Sequence, residues 1–486
     1  MLKYFLIFFV IFTGLAILPA HAITDFTPFQ NISNSPNDSV NPFVVTDGKN
    51  IFIAWTEFSK GNHAGDVLFS KSTDGGETFS VPQNISNQQG SSIAPFIRVD
   101  GTSIFVTWTY RYQEDHYSEI FFSKSIDGGT TFSTPQKISG STFSYGSRLA
   151  TDDMNIFVTW GDITYSDNRY ENMEILFSKS TDGGTTFSTP MNLSNNDGFS
   201  SYPSIAIDGK NVFIAWQDYS VVDTDIFVSE STDGGVTFST PLNISTSPDG
   251  SVGARIIADG KNIFVTWFEF SKGIGDIFFS KSIDSGATFS TPMNLSKNKE
   301  NSIVPFMVTD GKDIFITWTD ATTTGSWIVF SKSTDGGATF STQKISNDKG
   351  FSDAQSIATD GKTVFTAWNY HLKMELPYDI LFSKSTNLDP SHDPAITEQS
   401  NPQQYSIQVK DSLNIDSKTI NNDMQTKYLS PRKQLESGIQ PDEITCKEGL
   451  ELVIKTDHRH HPLCVTPDTK SKMIQRGLAM LIQTAN

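Results

Sequence analysis

Asp259-Gly260-Lys261-Asn262-Ile263-Phe264-Val265-Thr266-Trp267 decides the fold, because the chain carries seven variants of it. Tryptophans recur at 55, 108, 160, 216, 267, 318 and 368, spaced by 53, 52, 56, 51, 51 and 50 residues. An Asp precedes each apolar run: Asp47, Asp100, Asp152 or Asp153, Asp208, Asp259, Asp310 and Asp360. After each Trp come a polar loop, a second apolar run such as Ile277-Phe278-Phe279-Ser280-Lys281, and a turn. A fourth extended stretch such as Phe187-Ser188-Thr189-Pro190-Met191-Asn192-Leu193-Ser194 ends the unit. Ile, Val, Phe, Thr and Trp between Gly, Asp, Asn and Pro turns predict four short strands in each unit.

Both parities of the second strand are apolar: Ile51, Ile53 and Trp55 on one side, Phe52 and Ala54 on the other. A sheet with one wet face would alternate with polar residues, so these sheets need neighbours on both faces. Four-stranded sheets stacked around an axis meet that demand, which predicts an all-β chain folded as a seven-bladed β-propeller over residues 24–386. The seventh unit lacks a fourth strand, since the pattern stops at Asn387-Leu388-Asp389-Pro390. Thr27-Pro28-Phe29-Gln30-Asn31-Ile32-Ser33 near the start matches Thr291-Pro292-Met293-Asn294-Leu295-Ser296 of a fourth strand. The N-terminal segment is therefore expected to complete the last blade and cover its edge.

The 486 residues carry 36 Lys plus Arg against 54 Asp plus Glu, a net charge of −18. That balance excludes a nucleic-acid partner, which needs clustered cations. Two cysteines exclude a disulfide-dense scaffold and a four-Cys zinc site. Lys3, the apolar run 5–18 and Ala20-His21-Ala22 read as a signal peptide over residues 1–22, which implies a secreted or cell-envelope protein. No later run is long enough to span a bilayer. Asn-x-Ser sequons at Asn31, Asn37, Asn84, Asn192, Asn243 and Asn294 are glycan acceptors or a repeated strand ending.

Between third and fourth strands the motif Ser72-Thr73-Asp74-Gly75-Gly76-Glu77-Thr78-Phe79 recurs six times, at 72–79, 125–132, 180–187, 231–238, 282–289 and 333–340. Its Asp can accept backbone amides across the turn, and its Gly tolerates positive φ. The motif resembles the Asp-box, or bacterial neuraminidase repeat, of sialidase-like propellers, with Phe where that family usually has Trp. The resemblance implies that Asp74, Asp127, Asp182, Asp233, Asp284 and Asp335 are structural and lie opposite the active face.

The opposite rim is then built by the loops after each Trp and those before each first strand. Glu57, Asp162, Asp218, Glu269 and Asp320 stand two positions after a Trp, with Tyr110 and Tyr370 at the same place in the other units. These carboxylates are candidates for a solvated acidic rim or for Ca²⁺. Arg98, Arg148 and Arg255 fall in first strands, where three guanidinium groups near one axis could grip a carboxylate. Sialidases use an arginine triad in this way, and the resemblance would then cast Tyr370 as nucleophile with Glu57 and Asp162 beside it. The Arg-Ile-Pro tripeptide of that family is absent, and its members have six blades. Seven-bladed relatives resemble binding and assembly factors, a use suited by the loop aromatics Tyr110, Tyr112, Tyr117, Tyr165, Tyr170, Tyr219 and Tyr370. The leading expectation is a monomeric propeller that binds an extracellular glycan or protein through Arg98, Arg148, Arg255, Tyr110, Tyr165, Asp218, Glu269 and Asp320. The alternative is a sialidase-like glycoside hydrolase.

Residues 387–429 turn polar and read as a linker; residues 430–486 read as a small α+β module. It resembles a short C-terminal module of secreted archaeal proteins. A Cys446–Cys464 disulfide would close a hairpin, His458, His460 and His461 at its tip offer weak metal ligands, and a helix is expected over 469–482.

Overall fold

The computed structural model describes residues 24–386 apart from short segments at 60–63, 113–116, 141–142, 167–168, 197, 220–223, 246, 248–249, 272, 347–348 and 374–375, together with 451–455, 462–465 and 479–480. Residues 1–396 and 397–486 form two compact units.

In the first unit the repeat folds as anticipated. Asp38–Thr46, Ile51–Phe58, Gly65–Ser72 and Gln83–Asn84 pair in that order as one antiparallel sheet, and four more sheets follow the same order. The next two such sheets are joined by a single parallel bridge, Ser326 to Phe351. The first strand of each sheet packs on the first strand of the next, and that of the seventh packs on Asp38–Thr46 of the first. The seven repeat tryptophans are all buried, none exposed by more than 1%.

Gln30–Asn31 completes the seventh sheet, paired with Phe382 and Leu381. The match begins earlier than the sequence comparison indicated. Ser80 donates its amide to the Lys71 carbonyl at 2.8 Å, and Thr27 does the same to Lys384 at 2.8 Å. Phe26 packs edge-on against Phe330 at 5.1 Å, as Phe132 does against Phe69 at 5.0 Å. Ile32 then joins a core shared by Trp55, Ile380 and Phe382.

The Ser-x-Asp turns work as local hydrogen-bond hubs. In the first, Thr78 donates its amide (3.0 Å) and hydroxyl (2.5 Å) to the Asp74 carboxylate, Ser72 donates its hydroxyl to it at 2.7 Å, and Gly76 donates its amide to Ser72 Oγ at 2.8 Å. Gly75 and Gly76 take φ of 72° and 86°, the left-handed region that favours glycine. The motif's Phe grips the preceding sheet: Phe79 on Phe382, Phe187 on Phe122, Phe238 on Phe177 and Phe340 on Phe279, all at 5.0–5.1 Å. A third-strand lysine reaches the next turn from the other side. Lys71, Lys124, Lys179, Lys281 and Lys384 donate to the carbonyls of Gly128, Gly183, Gly234, Gly336 and Gly75 at 2.7–2.8 Å. The seam between fourth and fifth sheets lacks both grips, because Val228 and Glu230 replace the Phe and the Lys.

In the second unit Glu451–Lys455 pairs antiparallel with Pro462–Val465, setting Leu452 opposite Cys464. It also pairs with Ala479–Met480. The expected helix over 469–482 is therefore corrected at its end: Ala479–Met480 is a strand, because pairing with Ile454 and Lys455 satisfies that sheet's edge. The remainder of that stretch, Cys446, His458, His460 and His461, the signal segment 1–22 and the linker 387–429 lie outside the described residues.

Candidate functional site

Each first strand runs along the central channel and carries a bulge near its start, where the pairing register shifts. The bulge residues Asn41, Ala94, Gly146, Tyr202, Gly253, Val304 and Ala354 all have positive φ, between 47° and 69°. The next sheet's bulge amide is captured by the residue after a Trp. Thr56 accepts from Ala94 (2.9 Å), Thr109 from Gly146 (3.2 Å), Gln217 from Gly253 (2.9 Å) and Asn369 from Asn41 (2.9 Å). This layer was not legible in the sequence, because the partners sit in different repeats.

Two residues on, all seven strands present one side-chain layer: Phe43, Phe96, Arg148, Ser204, Arg255, Phe306 and Ser356, each in the same register with its neighbour strand. Arg98 follows two residues after Phe96. Phe43 packs on Phe96 at 4.2 Å and on Phe306 at 5.9 Å. The Arg98 guanidinium lies over Phe96 at 4.4 Å, Arg148 over Phe96 at 4.9 Å and Arg255 over Phe306 at 4.4 Å. A cavity of about 170 Å³ above this layer is rimmed by Asn41, Ala94, Val304 and Ala354 and reaches Arg148 and Arg255. A second, of about 370 Å³, reaches all three arginines and extends toward the far ends of the strands.

The arginines predicted from their scarcity thus do converge. Each donates to the carbonyl of the residue before it, Ile97, Ser147 and Ala254, at 3.2, 2.9 and 2.9 Å. Nε of Arg148 and of Arg255 is buried without a hydrogen-bond partner. All three arginines are half-buried along the channel. Burial pulls Arg98 and Arg148 down to about 10, with Arg148's charge adding to the effect on Arg98. Burial, with Arg148's charge adding to it, also holds Arg255 well below the ordinary guanidinium value. No carboxylate pairs with any of the three among the described residues. The phenyl faces supply partial compensation, about 0.5–2 kcal/mol per cation–π contact.

The post-Trp carboxylates turn inward to their own sheets instead of converging. Ser39 donates to Glu57 (3.2 Å), Ser144 to Asp162 (2.8 Å), Ser200 to Asp218 (2.6 Å), Ser251 to Glu269 (3.3 Å) and Ser302 to Asp320 (2.5 Å). The indole N–H groups of Trp267 and Trp318 donate to Glu269 and Asp320, each at 2.8 Å. Asp218, Glu269 and Asp320 are buried. Among the described residues no three His, Cys, Asp or Glu side chains gather as metal ligands. Tyr110 is also buried, its hydroxyl accepting the Gly90 amide at 3.0 Å. Tyr370 packs near Phe29 at 6.4 Å, and no hydrogen bond joins any two of Tyr370, Glu57 and Asp162. Tyr165 lies in strand Asn155–Ser166, but its side chain and that of Tyr170 are outside the described ones.

A further cavity of about 770 Å³ opens over the second to fourth sheets, walled by Tyr112, Tyr117, Tyr145, Phe199, Tyr202 and Tyr219. The loop tyrosines 112, 117 and 219 were visible as candidates; Tyr145 and Tyr202 were not, being hidden among strand residues. Their signal in the sequence is a break in the repeat, since other units place aliphatic or small residues at most of the same positions.

No family model matches this chain, and no curated protein matches it in sequence. Solved structures share its fold. A PL25 ulvan lyase bound to -[GlcA(1-4)Rha3S]- aligns with a TM-score of 0.54 at 12% identity, over 72% of this chain and 95% of that one. The phage phi92 endosialidase aligns at 0.50 and 9% identity, over 82% and 78%. Trypanosoma rangeli sialidase in complex with sialic acid aligns at 0.45 and 13%, over 74% and 59%. At these identities the likeness to the lyase and the endosialidase shows the propeller fold alone.

Proposed function

We propose that this protein is an exported glycan-binding propeller that receives the acidic group of a sugar at the arginine layer of its channel and does not cut the chain. One observation carries the reading: Arg98, Arg148 and Arg255 share one channel with no carboxylate beside them among the described residues. Like charges held together without a counter-ion destabilise the free protein. A carboxylate or sulfate would relieve that repulsion and could accept two parallel N–H bonds from a guanidinium. The same fold holds a GlcA-containing chain in the ulvan lyase.

Binding is favoured over hydrolysis by the state of the would-be catalysts. A covalent glycosidase mechanism needs a nucleophile and an activating base within hydrogen-bond reach. Glu57 accepts from Asn37 and Ser39, Asp162 accepts from Ser144, and Tyr370 bonds to neither.

The test is calorimetric titration with glucuronate, sialic acid and a neutral hexose. Binding confined to the acidic sugars, and weakened at least tenfold in Arg148→Gln or Arg255→Gln, is the expected result. Free sugar released from a sialoside panel, and abolished in Arg255→Gln, would overturn the non-catalytic reading. Export is checked separately by sequencing the N-terminus of the protein recovered from the medium.

A further inference from the structure

The seven-fold pattern is broken in one place, and the break builds the aromatic cavity. Tyr202 occupies a bulge at φ 52°, while the equivalent positions elsewhere hold Asn, Ala, Gly or Val. A bulky residue in that region is strained, and strain of this kind gathers at ligand clamps. The ring gains no shelter in return, being 55% exposed. One residue earlier in the preceding sheet stands Tyr145, where four of the other six units have Val40, Ile93, Val252 and Ile303 and two have Ser201 and Asp353.

Room for Tyr145 is made by Gly161, directly opposite in register. A Cβ at Gly161 would come within 2.8 Å of the Tyr145 ring. Gly161 follows Trp160, the place where Thr56, Thr109, Gln217 and Asn369 each capture the next bulge's amide. This junction therefore gives up a side-chain hydrogen bond and accepts strain, and what it gains is two tyrosine rings, 6.4 Å apart and edge-on. They wall a cavity of about 770 Å³, within the size range of small-ligand sites. Tyr202 stands at the same register as the bulges Asn41, Ala94, Val304 and Ala354 that rim the upper channel mouth.

The chemistry of the wall selects its occupant. Flat faces of Tyr117, Tyr202 and Tyr219 suit the C–H face of a pyranose ring, while phenol hydroxyls, Ser118, Ser201 and Gln217 suit its hydroxyls. Arg111 is the single charged group among the described lining residues, on a protein whose net charge is −18. No carboxylate among the described residues pairs with it.

We infer that this cavity over the second to fourth sheets is an extended subsite for an acidic oligosaccharide, stacking sugar rings on Tyr202 and its neighbours and pairing Arg111 with a carboxylate or sulfate. It rests on the reading of the protein as a glycan binder and places further sugar units outside the channel mouth.

The test uses the whole exported chain and four hexasaccharide-length probes: oligogalacturonate, a sulfated dextran fragment, and neutral malto- and cello-oligosaccharides. Tyr202→Gly relieves the strained backbone, so its melting temperature should stay level or rise while affinity for the acidic probes falls about tenfold, the scale of one lost aromatic contact. Arg111→Gln should weaken the charged probes and leave the neutral ones unchanged; whichever of the two acidic probes it weakens more identifies carboxylate or sulfate as the preferred group. Acidic probes that bind Tyr202→Gly and wild type equally, yet lose affinity in Arg148→Gln, would overturn the subsite and leave the channel reading standing. Failure of every probe to bind wild type would overturn both. Concentration-dependent dimerisation abolished by Tyr202→Gly would assign the cavity to a second copy of the chain and overturn the proposal.

Discussion

Ile32→Ala tests whether the N-terminal segment holds the sheet ring together as firmly as an internal fourth strand. Ile32 is 5% exposed and packs with Trp55, Ile380 and Phe382; Ile138, its equivalent in the second sheet, is 7% exposed. Their backbones are held alike, Ile32 donating to the Ile380 carbonyl at 2.8 Å and Ile138 to that of Ile120 at 2.9 Å. Truncating either to Ala should therefore cost about 2–4 kcal/mol, the usual range for a buried aliphatic side chain. At about 2.1 cal/mol/K per residue, a ring of roughly 360 residues carries ~0.75 kcal/mol/K, so a loss of ~3 kcal/mol lowers Tm by about 4 °C. Scanning calorimetry of both variants measures the shifts, and analytical ultracentrifugation reads any self-association through the freed edge of Asp379–Lys384. Equal shifts are expected, with association only for Ile32→Ala. If Ile32→Ala melts with the wild type while Ile138→Ala drops by several degrees, closure by the chain's start contributes nothing and the reasoning fails.

Other expectations follow from the same contacts. Arg148→Met removes a buried Nε without a partner and the shared repulsion with Arg98 and Arg255; its ligand-free Tm should rise while acidic sugars no longer stabilise it, and a lower Tm would refute the charge-crowding argument. Glu230→Lys should restore the missing lysine grip on the fifth sheet's turn and raise stability by about 1 kcal/mol, the scale of one net hydrogen bond; urea unfolding checks it, and an unchanged midpoint counts against the grip. Protonation gives a pH signature with two signs. The hydroxyl and amide of Thr78, Thr131, Thr186, Thr237 and Thr288 hold Asp74, Asp127, Asp182, Asp233 and Asp284 well below the usual carboxylate range. Their stabilisation is complete above the unfolded value near 3.9 and is lost as pH falls through the lower folded values. Burial raises Asp320 and Asp353 instead, so protonating them favours the fold as pH falls toward that unfolded value. Tm should be level or slightly rising from pH 7 to about 4.5 and fall steeply below about 4; a decline already between pH 7 and 5 would contradict these assignments.

Much of the architecture was legible because its causes are local and repeated. The apolar parity of Ile51-Phe52-Ile53-Ala54-Trp55 demands neighbours on both faces, and the orphaned third strand Asp379–Lys384 calls for a partner that residues 27–33 resemble. The arginine layer was legible too, since Arg148 and Arg255 sit at one fixed distance from the Asp that ends their strands. The roles of the post-Trp carboxylates were not. Their position on the rim was readable, but whether Asp218 or Glu269 faces solvent or its own Ser and Trp depends on side-chain directions that spacing leaves open.

The sequence by itself determined the sheets, their number and their order, because strand propensity, turn chemistry and binary pattern act over a few residues and recur every fifty or so. Only the tertiary structure decided what gathers across repeats. Phe79 grips Phe382, Lys384 reaches Gly75, three arginines lie over Phe96 and Phe306, and Gly161 clears space for Tyr145 beside Tyr202. Those contacts join residues tens to hundreds of positions apart, and their partners are fixed by how the sheets stack around the axis, a geometry that no single repeat contains.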